Sequence, residues 1–240
     1  QILSSLVGLP LNCYMLFLLF TEGVRKDIDV TFNVSQCASE ILLSFTAPLS
    51  IACHLNSDLC VVKALGFFWG ISMSARCHFQ CCVCLERYIA VVHPITFLKY
   101  NRARYRLPCA VVSWIDSLVC AVSTMFSFPQ LPFSTLAAIF SFLFIVDLFC
   151  FLMILKALRE TGPCDMESDE AGGKAFKRRA FKLVCVNLMV SLVQSLPLLY
   201  LFFVRQKFSL EVFNFGIAIS LCMNFSAGFV HPIVFLHRAK

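Results

Sequence analysis

Long apolar stretches, separated by short polar connections, run the length of this chain. Seven of them reach the roughly 20 residues that a helix needs to cross the hydrocarbon core of a bilayer. They cover 2–20, 31–55, 59–87, 107–128, 132–158, 176–204 and 210–236. The pattern predicts an all-α protein, a seven-transmembrane helix bundle forming one domain over residues 1–240. No internal repeat of the kind found in inverted-repeat transporters is visible.

Composition agrees. Hydrophobic residues make up 59% of the chain and charged residues only 14%, whereas soluble domains carry about 25% charge. Gln1 is not an initiating methionine, and both ends are expected to be trimmed. Most of the 14 cysteines fall inside the spans, with Cys77, Cys81, Cys82 and Cys84 clustered in the third. Packed thiols in a lipid-embedded helix explain that cluster better than a metal site.

Basic residues set the orientation. Arg25 and Lys26 follow span one, and Lys99, Arg102, Arg104 and Arg106 follow span three. The connection after span five holds another group, including Lys177, Arg178 and Arg179, while the alternate connections hold only Lys63, Arg205 and Lys207. The positive-inside rule then puts the N-terminus outside the cell and the C-terminus in the cytoplasm. The longest connection, RETGPCDMESDEAGGKAFKRR at 159–179, joins an acidic cluster to a basic one. It reads equally as a solvated linker and as a docking surface for a cytosolic partner.

Ionisable residues inside the hydrocarbon are costly, and they are usually paired or functional. Glu40, Arg76, Asp116 and Asp147 all fall about 14–18 Å from the inner ends of their spans at 1.5 Å per residue. Arg76 precedes Arg87 by close to three full helical turns, so the two share one face of span three. One cation with three carboxylates at its level points to a buried ion pair. The carboxylates left over are expected to be protonated or hydrogen-bonded.

Several short motifs now resemble the rhodopsin-like G-protein-coupled receptors. GLPLN (8–12) is similar to the family's Gly-x-Pro-x-Asn in span one, with Asn12 in the signature position. Glu40 stands eight residues before Pro48, where the family usually has aspartate. ERYIAVVHP (86–94) is the most specific match, and Trp114, Pro197 and HPIVF (231–235) fit spans four, six and seven. The wording HPITFLKY (93–100) looks most like the branch of purinergic, protease-activated and related peptide or lipid receptors.

The resemblance implies a plasma-membrane, multi-pass receptor, not an enzyme, that passes an extracellular signal to a heterotrimeric G protein. Glu86 then restrains Arg87 at rest, beside Tyr88. Arg87, the second inner loop (Pro94, Ile95, Phe97) and Lys177, Arg178 and Arg179 meet the G protein, and Pro232 and Phe235 belong to the span-seven switch. Asn12, Glu40, Arg76, Asp116, Asp147 and His231 form the intramembrane polar core. No cofactor, metal or nucleic acid is implied: the family's sodium-binding serine is replaced by Arg76, so a Glu40–Arg76 pair is expected to replace the ion.

Other positions depart from the family. Ser191 and Ser195 replace the aromatic pair of span six, His231 the span-seven Asn or Asp, and Phe235 the tyrosine. Cys60 is out of register for the family disulfide. Trp69, Ser72, Met73, Leu198, Phe202, Ile217 and Leu221 are expected to line a mainly apolar outer cavity, with Lys63 and Arg205 at its rim. Such a cavity suits a small-molecule, lipid-like or peptide ligand, with any acidic group reaching the rim, and membrane lipids surround the bundle. Two alternatives stay open: a receptor-fold protein that binds or scaffolds without signalling, and an ion or proton transporter using the intramembrane charges.

Overall fold

The computed structural model describes residues 2–23, 31–55, 59–93, 95–97, 103–127 and 133–160. It also describes 185–186, 189–197, 199–201, 203, 212, 215–216, 219–220 and 222–223. All the regular structure in these residues is helical: α1 (Ile2–Leu18), α2 (Thr31–Ser44), α3 (Thr46–Leu55), α4 (Leu59–Val92), α5 (Ala103–Ser127) and α6 (Phe133–Glu160). Among the described residues, four helical stretches are long and apolar enough to cross a membrane: Thr31–Leu55, Leu59–Val92, Tyr105–Ser127 and Leu136–Ala157. The N-terminal stretch gives a shorter apolar helix, Leu6–Thr21, and the expected sixth span gives Met189–Leu201. Most of the expected seventh span lies outside the described residues.

The helices face their partners in an order that inverts that of a soluble protein. On α5 the buried positions are Arg106, Ala110, Ser113, Ser117, Ala121 and Thr124, a single stripe at steps of three and four residues. Val111, Val112, Ile115, Leu118, Val119 and Val122 cover the exposed faces. In lipid, large apolar side chains have nothing to gain by turning inward, and small or polar residues let two backbones approach. On α6 the same spacing buries Leu136, Phe140, Asp147, Cys150 and Ile154 and exposes Phe142, Ile145 and Phe149.

At the centre stands α4, buried all round from Gly70 to Arg76. At 34 residues it is about 51 Å long, well beyond the roughly 30 Å of hydrocarbon. It touches α2, α3, α5 and α6. Gly66 and Gly70, four residues apart, face α5, where Thr124 Oγ1 donates to the Gly66 carbonyl at 3.0 Å. An apolar cluster of Leu43, Met73, Leu136, Phe140 and Leu199 ties α2, α4 and α6 to the 189–201 stretch. A second, of Phe32, Ala75, Phe79, Val83 and Ala110, ties α2 and α4 to α5.

The expected second span is one span but two helices. Pro48 has no N–H to give the Ser44 carbonyl, and its ring crowds that oxygen. The chain breaks at Phe45 in consequence, and beside the break Thr46 Oγ1 donates to Leu43 O at 2.6 Å. The third span runs on past Arg87 to Val92, further than the apolar pattern marked, because the turns carrying Glu86, Arg87 and Tyr88 are half-buried against neighbours.

Candidate functional site

Polar side chains gather at two levels of the bundle. The deeper level centres on Arg76, the largest fully buried side chain among the described residues at 1% exposure. Its guanidinium donates from Nη2 to Glu40 Oε2. Both are buried within the helix bundle, where each charge offsets the burial of the other. One turn below, Gln36 Nε2 donates to Gln80 Oε1 at 3.1 Å, a second polar link between α2 and α4. Asn12 spends its amide locally, on the Gly8 carbonyl at 2.9 Å.

The other two carboxylates at this level take separate partners. Asp147 is 4% exposed and accepts a hydrogen bond from Ser191 Oγ at 3.0 Å. That bond joins α6 to the 189–197 stretch. A cavity of about 10 Å³ adjoins it, lined by Cys77, Gln80, Asp147, Ser191, Gln194 and Ser195 among others. The space suffices for about one water molecule. Removing Ser191 takes away a hydroxyl donor and leaves the carboxyl to the weaker thiols of Cys81 and Cys84. Ser191→Ala is therefore expected to lower stability by about 1 kcal/mol, and Ser191→Thr, which keeps the hydroxyl, by less. Thermal unfolding of the purified protein in detergent checks both.

Asp116 turns away from Arg76 to the outside of the bundle, its side chain 52% exposed. Its Oδ2 lies 2.8 Å from His78 Nε2, while His78 Nδ1 lies 2.8 Å from the Ser74 carbonyl. His78 thus links α5 to its own helix through oxygens at both ring nitrogens. Sequence reasoning passed over His78. The usable signal was depth, since His78 and Asp116 each stand nine residues from the inner limits assigned to their spans.

The second level is the inner end of α4. Arg106 Nη2, from the first turns of α5, donates to Glu86 Oε1 at 3.0 Å, and its guanidinium carbon lies 6.0 Å from the centre of the Phe97 ring. Tyr88 packs edge-on against His93 at 5.7 Å and also meets Phe149 of α6 at 6.1 Å. Arg87 is half-buried, its Nε without a hydrogen-bond partner among the described residues. Ile95, in the helical turn 95–97, is 85% exposed. Arg106 had been read only as one of the basic residues of an inner connection.

Of the residues expected to line an outer cavity, Met73 belongs to the cluster with Leu43 and Phe140, and Trp69 packs against it. The Ser72 hydroxyl donates to the Phe68 carbonyl at 2.6 Å. Lys63 stands 5.9 Å over the Phe126 ring. Cys60 is a free thiol. Pro94, Lys177, Arg178, Arg179, Leu198, Phe202, Arg205, Ile217, Leu221, His231, Pro232 and Phe235 lie outside the described residues.

No family model matches the chain. Curated proteins do. The S-geranylgeranyl-glutathione receptor of Homo sapiens is 22% identical over 99% of this chain and 74% of its own length. A purinoceptor of Gallus gallus is 26% identical over 48% of this chain, and the uracil nucleotide/cysteinyl leukotriene receptor of Rattus norvegicus 28% over 56%. The chain spans 34% and 43% of those two proteins. All three are receptors, and none is an enzyme.

Proposed function

We propose that this chain is a rhodopsin-like G-protein-coupled receptor of the plasma membrane that passes an extracellular signal to a heterotrimeric G protein, a reading supported by its similarity to curated receptors. One observation carries this reading: ERYIAVVHP sits at the inner end of the central, most buried helix, with Arg87 half-buried and Ile95 projecting beyond it. In this reading residues 1–240 form one seven-helix domain, oriented by its basic connections with the N-terminus outside. Ligand binding among the outer helix halves biases two packings of the bundle. Arg87, Ile95, Phe97 and the basic run Lys177, Arg178 and Arg179 meet the G protein. The Glu40–Arg76 pair supplies from within the protein the positive charge that a sodium ion supplies elsewhere in the family.

For the ligand we infer an apolar molecule with an acidic head. Two relatives are named for ligands that include such compounds, one for a geranylgeranyl chain joined to glutathione and the other for a cysteinyl leukotriene as well as a uracil nucleotide. Met73 is taken up by the apolar cluster with Leu43 and Phe140; the remaining apolar residues Trp69, Leu198, Phe202, Ile217 and Leu221, with Lys63 and Arg205 at the rim, suit that chemistry.

A second reading, a receptor fold that binds without signalling, is favoured by the cross-links Glu40–Arg76 and Asp147–Ser191, which hold the bundle in one packing. G-protein activation in cells expressing the full-length protein separates the two. Arg87→Ala is expected to reduce activation by about tenfold or more at equal surface expression. Equal basal and stimulated output in both proteins would remove the signalling reading.

A further inference from the structure

Three segments meet at the inner end of the bundle: the last turns of α4, the helical turn 95–97, and the start of α5. One side chain touches the other two segments. Arg106 gives Nη2 to Glu86 Oε1 at 3.0 Å and lays its guanidinium 6.0 Å from the Phe97 ring centre, within the range of a cation–ring contact. Its side chain is 9% exposed, so water dilutes neither contact strongly. An arginine is suited to both at once, because it donates in its plane while its flat face meets an aromatic ring.

Phe97 is also tied along the chain. Its N–H donates to the His93 carbonyl at 2.9 Å, as His93 N–H does to Ile89 O, and Tyr88 Oη lies 3.4 Å from His93 Nε2. The segment thus continues the helical hydrogen bonding of α4. Ile95 lies in this turn, exposed and apolar.

We propose that Arg106 is a positioning residue for the G-protein contact: it fastens the 95–97 turn to Glu86 and so sets where Ile95 is presented. The proposal rests on the receptor reading above, since only there is Ile95 a contact. It gives Glu86 a task besides restraining its neighbour Arg87. The guanidinium adds a side-chain link between Glu86 and the 95–97 turn to the backbone bonds that already join that turn to α4.

The test uses the full-length protein with two readouts. Amide exchange at Phe97 reports the tether without any signalling, and the rate of G-protein activation at equal surface expression reports the contact. Arg106→Gln is expected to speed exchange at Phe97 about fivefold and to slow activation. Phe97→Leu is expected to slow activation as well, and the double variant no further than the worse single one, because both remove the same contact. Arg106→Lys keeps a charge for Glu86 but lacks the flat face; it is expected to fold as the wild type does and still to show the faster exchange. Unchanged exchange at Phe97 in both Arg106 variants, additive effects in the double variant, or faster exchange with undiminished activation each overturns the proposal. A wild-type protein that activates no G protein removes the receptor reading itself and this role with it. Unchanged exchange beside normal wild-type activation removes the role of Arg106 alone.

Discussion

Glu40→Leu is expected to destabilise the folded protein by about 3–5 kcal/mol, the cost of leaving one member of a buried ion pair uncompensated. For a chain of this size that lowers the unfolding temperature by about 10 °C. The damage is predicted to be asymmetric. With Glu40 gone, the Arg76 guanidinium keeps its charge, since arginine does not lose its proton inside proteins. With Arg76 replaced by Met, Glu40 can take a proton and become neutral, so Arg76→Met is expected to cost less. The double variant Glu40→Leu/Arg76→Met is expected to return close to wild type, because apolar replacement of a whole buried pair is often neutral or better. Trp69 and Trp114 supply a fluorescence signal for thermal unfolding in detergent. Equal losses for the two single variants, or a double variant as unstable as Glu40→Leu, would show that the pair is not the source of the stability.

The second large effect is expected at Gly70. A methyl group there would overlap Thr124 Oγ1 and stand 3.0 Å from both the Ala121 Cα and the Thr124 Cβ. Backbone cannot be pushed aside as a flexible side-chain tip can, so α4 and α5 have to separate. Separation also stretches the bond from Thr124 to the Gly66 carbonyl. Gly70→Ala is expected to cost about 3 kcal/mol, at the upper end for overpacking a close-fitted interface. Adding Thr124→Ala relieves the overlap with the hydroxyl and leaves the contact with Ala121, so recovery should be partial. A Gly70→Ala protein with unchanged thermal stability would contradict the close crossing of α4 and α5.

Much of this was legible in the sequence, and the exceptions have particular causes. Apolar runs located α4, α5 and α6 to within a few residues, because the need to keep backbone groups bonded in hydrocarbon leaves helix as the only local choice. Counting at 1.5 Å per residue put Glu40, Arg76, Asp116 and Asp147 at one level. It did not find Gly66 and Gly70 as a crossing point, although their four-residue spacing was there to be read. Nor did it find the break at Phe45, since an apolar run with one proline reads as a single span. The partner of Glu86 was missed for another reason. Arg106 stands 20 residues on in the next helix, where a basic residue after a span reads simply as cytoplasmic charge.

What the sequence by itself determined is therefore where the four long apolar helices of the described residues run, the position of each polar group along its helix, and the motifs that point to a family. Depth along a helix follows from residue count alone. The Glu40–Arg76 pair was already expected from the family resemblance; what only the tertiary structure decided is where the other groups at that depth go: Asp147 takes Ser191, and Asp116 turns outward to His78. Those choices depend on how each helix is rotated about its axis. Rotation is settled by the packing of small-residue stripes such as that on α5 against the neighbouring helix, a property of two helices together and of neither sequence alone.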